Sequence, residues 1–128
     1  MLEFTISVAP VTKKNSQRIV TNKATGRPFV MPSEKYKAYE KYAAADIPRE
    51  GIDYPVNIKA LYYMPTHRRV DLTNLNSALH DVLVKWGCLK DDNSSIVVST
   101  DGSRVLYDKN NPRTEVVITE AVNVSLPQ

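Results

Sequence analysis

The chain has 128 residues, 42% hydrophobic and 24% charged, with a formal net charge of +3 and a pI near 9.0. This suits one compact domain with a single core, and the mild basic bias permits a polyanionic partner. The single cysteine, Cys88, excludes an intrachain disulfide and a cysteine-based zinc cluster, and no run approaches the ~18 apolar residues of a membrane span.

Leu2, Phe4, Ile6 and Val8 alternate with Glu3, Thr5 and Ser7, a half-buried strand that Pro10 ends. Glu3 and the lack of a long apolar core read against a signal peptide, so a cytoplasmic protein is expected. Turn chemistry at Asn22–Gly26 between two β-prone pieces predicts a hairpin. A helix follows, with Ser33 as N-cap, Glu34 favourable to its dipole, and Tyr36, Tyr39, Tyr42 and Ala43 on its apolar side. Pro48 and Gly51 close it. Residues 55–63 alternate again, with Val56, Ile58, Ala60 and Tyr62 on one face.

A second helix runs from Asp71 or Thr73 to Trp86, with Gly87 as its stop. "SSIVVST" reads as a strand, "DGSRVLYDKNNPR" as a polar loop or distorted hairpin arm, and "TEVVITEAV" as the last strand. The tail "NVSLPQ" is expected to fray. The fold class is therefore α/β of the α+β type: one domain over 1–128, with two main helices packed on a small mixed sheet.

On a wheel of about 100° per residue, Leu72, Leu75, Leu79, Val82, Leu83 and Trp86 form the core stripe of the second helix. Asp71, Asn74, Ala78, Asp81 and Lys85 fall on an adjoining arc, where half-buried carboxylates need a metal, an arginine or amide donors. The pair Asp91 and Asp92 follows the helix after a short turn. If the flanking strands are neighbours, the acids at the two places can converge, and all-oxygen ligands of this kind suit Mg²⁺ or Mn²⁺. His80 lies opposite the acidic arc and reads, like His67, as a surface histidine. The chain has no Ser-His-Asp arrangement, P-loop or G-x-G-x-x-G run.

The stretch "RRVDLTNLNSALHDVLVKWGCLKDDNSSIV" resembles the signature region of the RusA family of Holliday junction resolvases. The family shows a basic pair, then D-L-D-N-L, an aspartate inside the helix, and "DD" before a strand. Asp71, Leu72, Asn74 and Leu75 match the first element, Asp81 to Leu83 the second, and Asp91 with Asp92 the third. "VTKKNSQR" and "PSEKYKAYEKY" are similar to the family's K-x-N stretch and its S-x-x-Y helix start. The resemblance implies a small α/β homodimer, often phage-related, that needs Mg²⁺ and cuts branched DNA at four-way junctions during recombination and repair. By position it makes Asp71 and Asp92 catalytic, metal-binding carboxylates, joined by Asp91, with Asn74, Asp81 and Thr73 as supporting polar groups. Two positions depart from the family: its second acid is Thr73 here, and Ser77 stands where some members carry a lysine.

Arg68 and Arg69 can hold phosphates beside the acids, and Lys13, Lys14 and Arg18 are candidates for a second DNA-binding segment. Two rival readings remain. One is a branched-DNA-binding protein of the same fold with a weakened or inactive centre. The other is an interaction module whose acids are only caps and turns. Tyr36, Tyr39, Tyr42, Tyr62 and Tyr63 are candidates for a dimer interface as well as for the core.

Overall fold

The structure is a computed structural model that describes residues 1–13 and 17–121. The tail expected to fray, Asn123–Gln128, lies outside the described residues.

Strand β1 is Leu2–Ile6, and the hairpin β2 (Gln17–Thr21) and β3 (Pro28–Pro32) forms a separate two-stranded sheet. Its turn has the expected chemistry: the Asn22 side-chain oxygen accepts from the Ala24 amide at 2.9 Å, and Gly26 takes a φ of 70°. Helix α1 is Glu34–Ala43, capped by Ser33, whose Oγ accepts from the Tyr36 amide. Strand β4 is Val56–Met64, α2 is Leu72–Lys85, β5 is Val97–Ser99, β6 is Arg104–Tyr107 and β7 is Arg113–Glu120.

The main sheet runs β1-β7-β4-β5, with β6 also on β4. Strand β7 pairs antiparallel with both β1 and β4, whereas β5 and β6 run parallel to β4. A parallel neighbour requires a crossover, and α2 is that crossover between β4 and β5. Period-two alternation then decides which face is buried. Ile58 faces Ile118, Ala60 faces Val116 and Tyr62 faces Thr114, and all six residues are buried. Against this face stand Leu75, Ala78, Leu79, Val82 and Leu83 of α2 and Tyr36, Tyr39 and Ala43 of α1. The mixed sheet with two helices matches the expected α+β class.

Several details differ from the sequence reading. Ala78 is fully buried, because the covered stripe of α2 is wider than the wheel's leucine arc. Tyr42 is exposed, whereas Tyr36, Tyr39 and Tyr62 fill the monomer's own core and are spent there. The guanidinium of Arg113 lies 3.8 Å from the centroid of the Tyr63 ring.

The segment read as a loop or hairpin arm contains β6, which continues the edge that β5 begins. The gap between them is bridged by side chains. Asn57 Oδ1 accepts from Ser99 Oγ at 2.6 Å and from the Asp101 amide at 2.8 Å, and its Nδ2 donates to the Asp101 carbonyl. Ser103 Oγ accepts from the Ala60 amide, restoring a bond the edge would otherwise lose. Gly102 sits at φ 87°, and a Cβ there would come within 3.1 Å of the Lys59 side chain.

Asn57→Ala should therefore cost about 0.5–1.5 kcal/mol, the ordinary net worth of hydrogen bonds whose partners water can reach. Urea unfolding gives the loss. Amide exchange should accelerate at 97–104 far more than in α2, and uniform acceleration over the chain would contradict the tether.

Candidate active site

Asp71 is the N-cap of α2, with φ −92° and ψ 121°, and its Oδ1 accepts from the Thr73 amide at 2.9 Å. The capping bond uses one oxygen and leaves Oδ2 without a hydrogen-bond partner among the described residues, at a helix end that favours negative charge. Arg68 and Arg69 lead into this cap and are exposed, as are the side chains of Thr73 and Ser77. Asn74 is half-buried one turn into the helix.

The other acids lie beyond the opposite end of α2. Gly87, at φ 83°, ends the helix, and the Cys88 and Leu89 amides donate back to the Leu83 carbonyl. The chain is then fastened beside residues 51–52: Gly51 donates to Gly87, Ile52 to Cys88, and Lys90 to Ile52. These bonds hold the start of the Asp91–Asp92 turn at the amino end of β4. Asp91 spends both oxygens locally, accepting from the Asp92 amide at 2.7 Å and from Asn93 Nδ2 at 3.1 Å. The carboxylate of Asp92 takes no hydrogen bond from the described residues.

Asp71 caps the first turn of α2, and the Asp91–Asp92 turn follows the reversal after its last. The 14 residues of α2 separate Asp71 from Trp86, about 20 Å at the ordinary helical rise. Among the described residues, no three His, Cys, Asp or Glu side chains gather closely enough to share a metal ion. Asp81 is taken elsewhere: its Oδ2 pairs with Lys13 Nζ at 2.9 Å. That pair neutralises both a supporting acid and a cation expected to face DNA. Lys14 lies outside the described residues, and of Arg18 only the backbone, in β2, is described.

In kind, the donors fit a hard cation. Asp71 and Asp92 each offer carboxylate oxygen, the ligand type that suits Mg²⁺ or Mn²⁺. Mg²⁺ is commonly held by one or two carboxylates, with water and substrate phosphate completing its shell. A centre with few protein ligands is consistent with the Thr73 departure.

Sequence reasoning missed two polar features of α2. Asn76 accepts from the buried Tyr62 hydroxyl at 2.6 Å, locking α2 to β4. His80, expected at the surface, has a buried Nε2 with no partner among the described residues. Burial pushes its pKa below the ordinary 6.5, against an upward pull from Asp92 and Asp81. Asp92 is therefore within electrostatic reach of His80, a residue in the middle of α2. No helix among the described residues is long and apolar enough to cross a membrane.

Residues 8–119 match the family model described as Endodeoxyribonuclease RusA, which covers most of the 128-residue chain. No curated protein matches the chain.

The environment of His80 gives a pH dependence. A histidine with a depressed native pKa favours folding while neutral. The unfolded chain takes up the proton first as pH falls through about 6.5, so stability is present above that value and is lost below it. Urea midpoints measured from about pH 7.5 down to about pH 5 should fall for the parent protein and fall less for His80→Leu. Parallel curves would show that His80 contributes nothing to the slope.

Proposed function

The chain belongs to the RusA endodeoxyribonuclease family, whose activity is the endonucleolytic resolution of Holliday junctions, and we propose that it is a Mg²⁺-dependent homodimer that cuts four-way junctions in pairs. The observation that carries this reading is the placement of Asp71. It is an acid fixed on a rigid helix end, with Arg68 and Arg69 three and two positions before it.

Each group has a role. The arginines bind backbone phosphates and orient the strand. The cap bond to the Thr73 amide holds the Asp71 carboxylate in one rotamer, so that it meets the DNA preorganised. Asp92 supplies the second acid, and Asp91 shapes the turn that carries it. When bound, the metal would supply an activated water and charge neutralisation at the phosphate.

Dimerisation is supported by the few ligands one chain gathers: among the described residues, no three His, Cys, Asp or Glu side chains come together for a metal ion. A two-fold pair can offer Asp71 of one protomer and Asp92 of its partner to the same phosphate. A junction has approximate two-fold symmetry, and an isologous dimer yields two equivalent sites for two opposed cuts.

A labelled synthetic four-way junction should be cut with Mg²⁺ and left intact with a chelator. Asp71→Asn and Asp92→Asn should each lose cutting, by about two orders of magnitude or more. If the acids act across the dimer, mixing the two dead variants should restore nicking. One of the two sites in a mixed dimer then holds both native acids. If both acids act within one chain, the mixture stays dead.

A second reading, a junction-binding protein with a weakened centre, is favoured by Thr73 at the family's second acid position. Thr73→Asp separates the two. A large rate gain marks the natural protein as a weakened nuclease, and no gain, or a loss, means that the present acids already suffice.

A further inference from the structure

A cavity of about 340 Å³ lies between the chain after β1, the first turn of α1 and the segment leaving β4. Val11, Met64 and Val70 contribute apolar wall, and Lys35, Arg68 and Arg69 contribute cations. All three cations are exposed, none makes an ion pair among the described residues, and no carboxylate lines the cavity.

These walls ask for a particular ligand. A phosphate held on a groove surface needs cations alone, and apolar wall gains nothing from it. Small-molecule sites span roughly 300–1,000 Å³ and join apolar lining to a few placed polar groups. A volume at the small end of that range suits one flat, anionic ligand. A base inside a duplex cannot enter, because its stacking partners block it. At the branch point of a four-way junction stacking is already interrupted, so the cost of turning one base out is least there.

We propose that this cavity takes a single nucleotide unstacked from the branch point of the junction, its base against the apolar wall and its phosphate on Lys35, Arg68 and Arg69. The proposal rests on the reading of the chain as a junction nuclease. It gives Lys35, a helix residue with no counterpart in the sequence motif, a direct role in substrate binding. It also accounts for the order Arg68–Arg69–Val70–Asp71. The residues that would anchor the nucleotide lie two and three positions before the acid, so capturing the base draws a neighbouring phosphate towards Asp71. A preference for branched over linear DNA then follows from base capture as well as from the spacing of two sites.

Two measurements test this, both without metal so that nothing is cut. In the first, the isolated protein is titrated with thymidine 5′-monophosphate and with inorganic phosphate, followed by the amide NMR shifts of Ala9, Val11, Thr12, Met64 and residues 66–70. The nucleotide should bind at least about tenfold more tightly than phosphate. Ala9→Trp, which fills the cavity from its lining, should remove that advantage, and Lys35→Ala should weaken both ligands. In the second, a four-way junction carries 2-aminopurine at the branch point. Its fluorescence should rise when saturated with the parent protein and stay flat with Ala9→Trp, while a probe inside an arm stays flat with both. Equal binding of nucleotide and phosphate, or a rise that survives Ala9→Trp, would overturn the proposal. If that variant fails to fold, Lys35→Ala on the exposed rim decides, since unchanged nucleotide affinity there overturns it equally. A protein that passes the nucleotide titration but never cuts a junction refutes the nuclease reading and leaves the cavity. One that cuts junctions but shows no nucleotide advantage refutes the cavity alone.

Discussion

The rigidity of α2 governs where this protein can act on a substrate. Its first turn is closed by the Asp71 side chain, and its last turn by the Gly87 reversal, whose continuation is hydrogen-bonded to residues 51–52. Between them Leu75, Leu79, Val82 and Leu83 are buried against the sheet, and Asn76 is bonded to the hydroxyl of Tyr62. A helix held at both ends and along one face cannot shorten to bring its termini together. Asp71 is therefore held at a fixed place relative to the sheet.

Much of this was legible in the sequence. The alternation of Val56, Ile58, Ala60 and Tyr62 revealed the buried face of β4, and Ser33, Asp71 and Gly87 marked helix ends through local chemistry that needs no tertiary context. Features that depend on distant partners were not legible. Strand β6 is short and half-exposed, and its place beside β4 depends on Asn57 and Ser103, more than forty residues apart. A helical wheel gives angles around α2 but says nothing of what lies against each face, so the burial of His80 Nε2 is not legible there. For the site, the residue types pointed to oxygen ligation, but their separation depends on the path taken after Trp86, which local patterns do not encode.

A net charge of +3 understates how the cations are arranged. Lys13 is paired with Asp81 and Lys85 with Glu40, and Arg113 is shared between Asp108 and Glu115. Such pairs add little stability at the surface, but they remove those cations from competition for a polyanion. Lys35, Arg68 and Arg69 are among the described cations without ion pairs, and they stand together around one cavity. Cations gathered around one cavity focus an approaching phosphate chain more effectively than the same charges spread evenly.

The seam between β5 and β6 has a consequence for behaviour at high concentration. A long, flat outer strand would offer an uninterrupted row of amide and carbonyl groups to another molecule, the usual start of edge-to-edge aggregation. Here the outer side of β4 is covered by two pieces of 3 and 4 residues. The turn between them carries a glycine with φ 87°, and its backbone groups at Asp101 are occupied by Asn57. Exposed Val98, Val105 and Tyr107 on these pieces would otherwise be adhesive. The break in register leaves an incoming strand no continuous ladder to extend, so the protein can keep this edge open without polymerising through it.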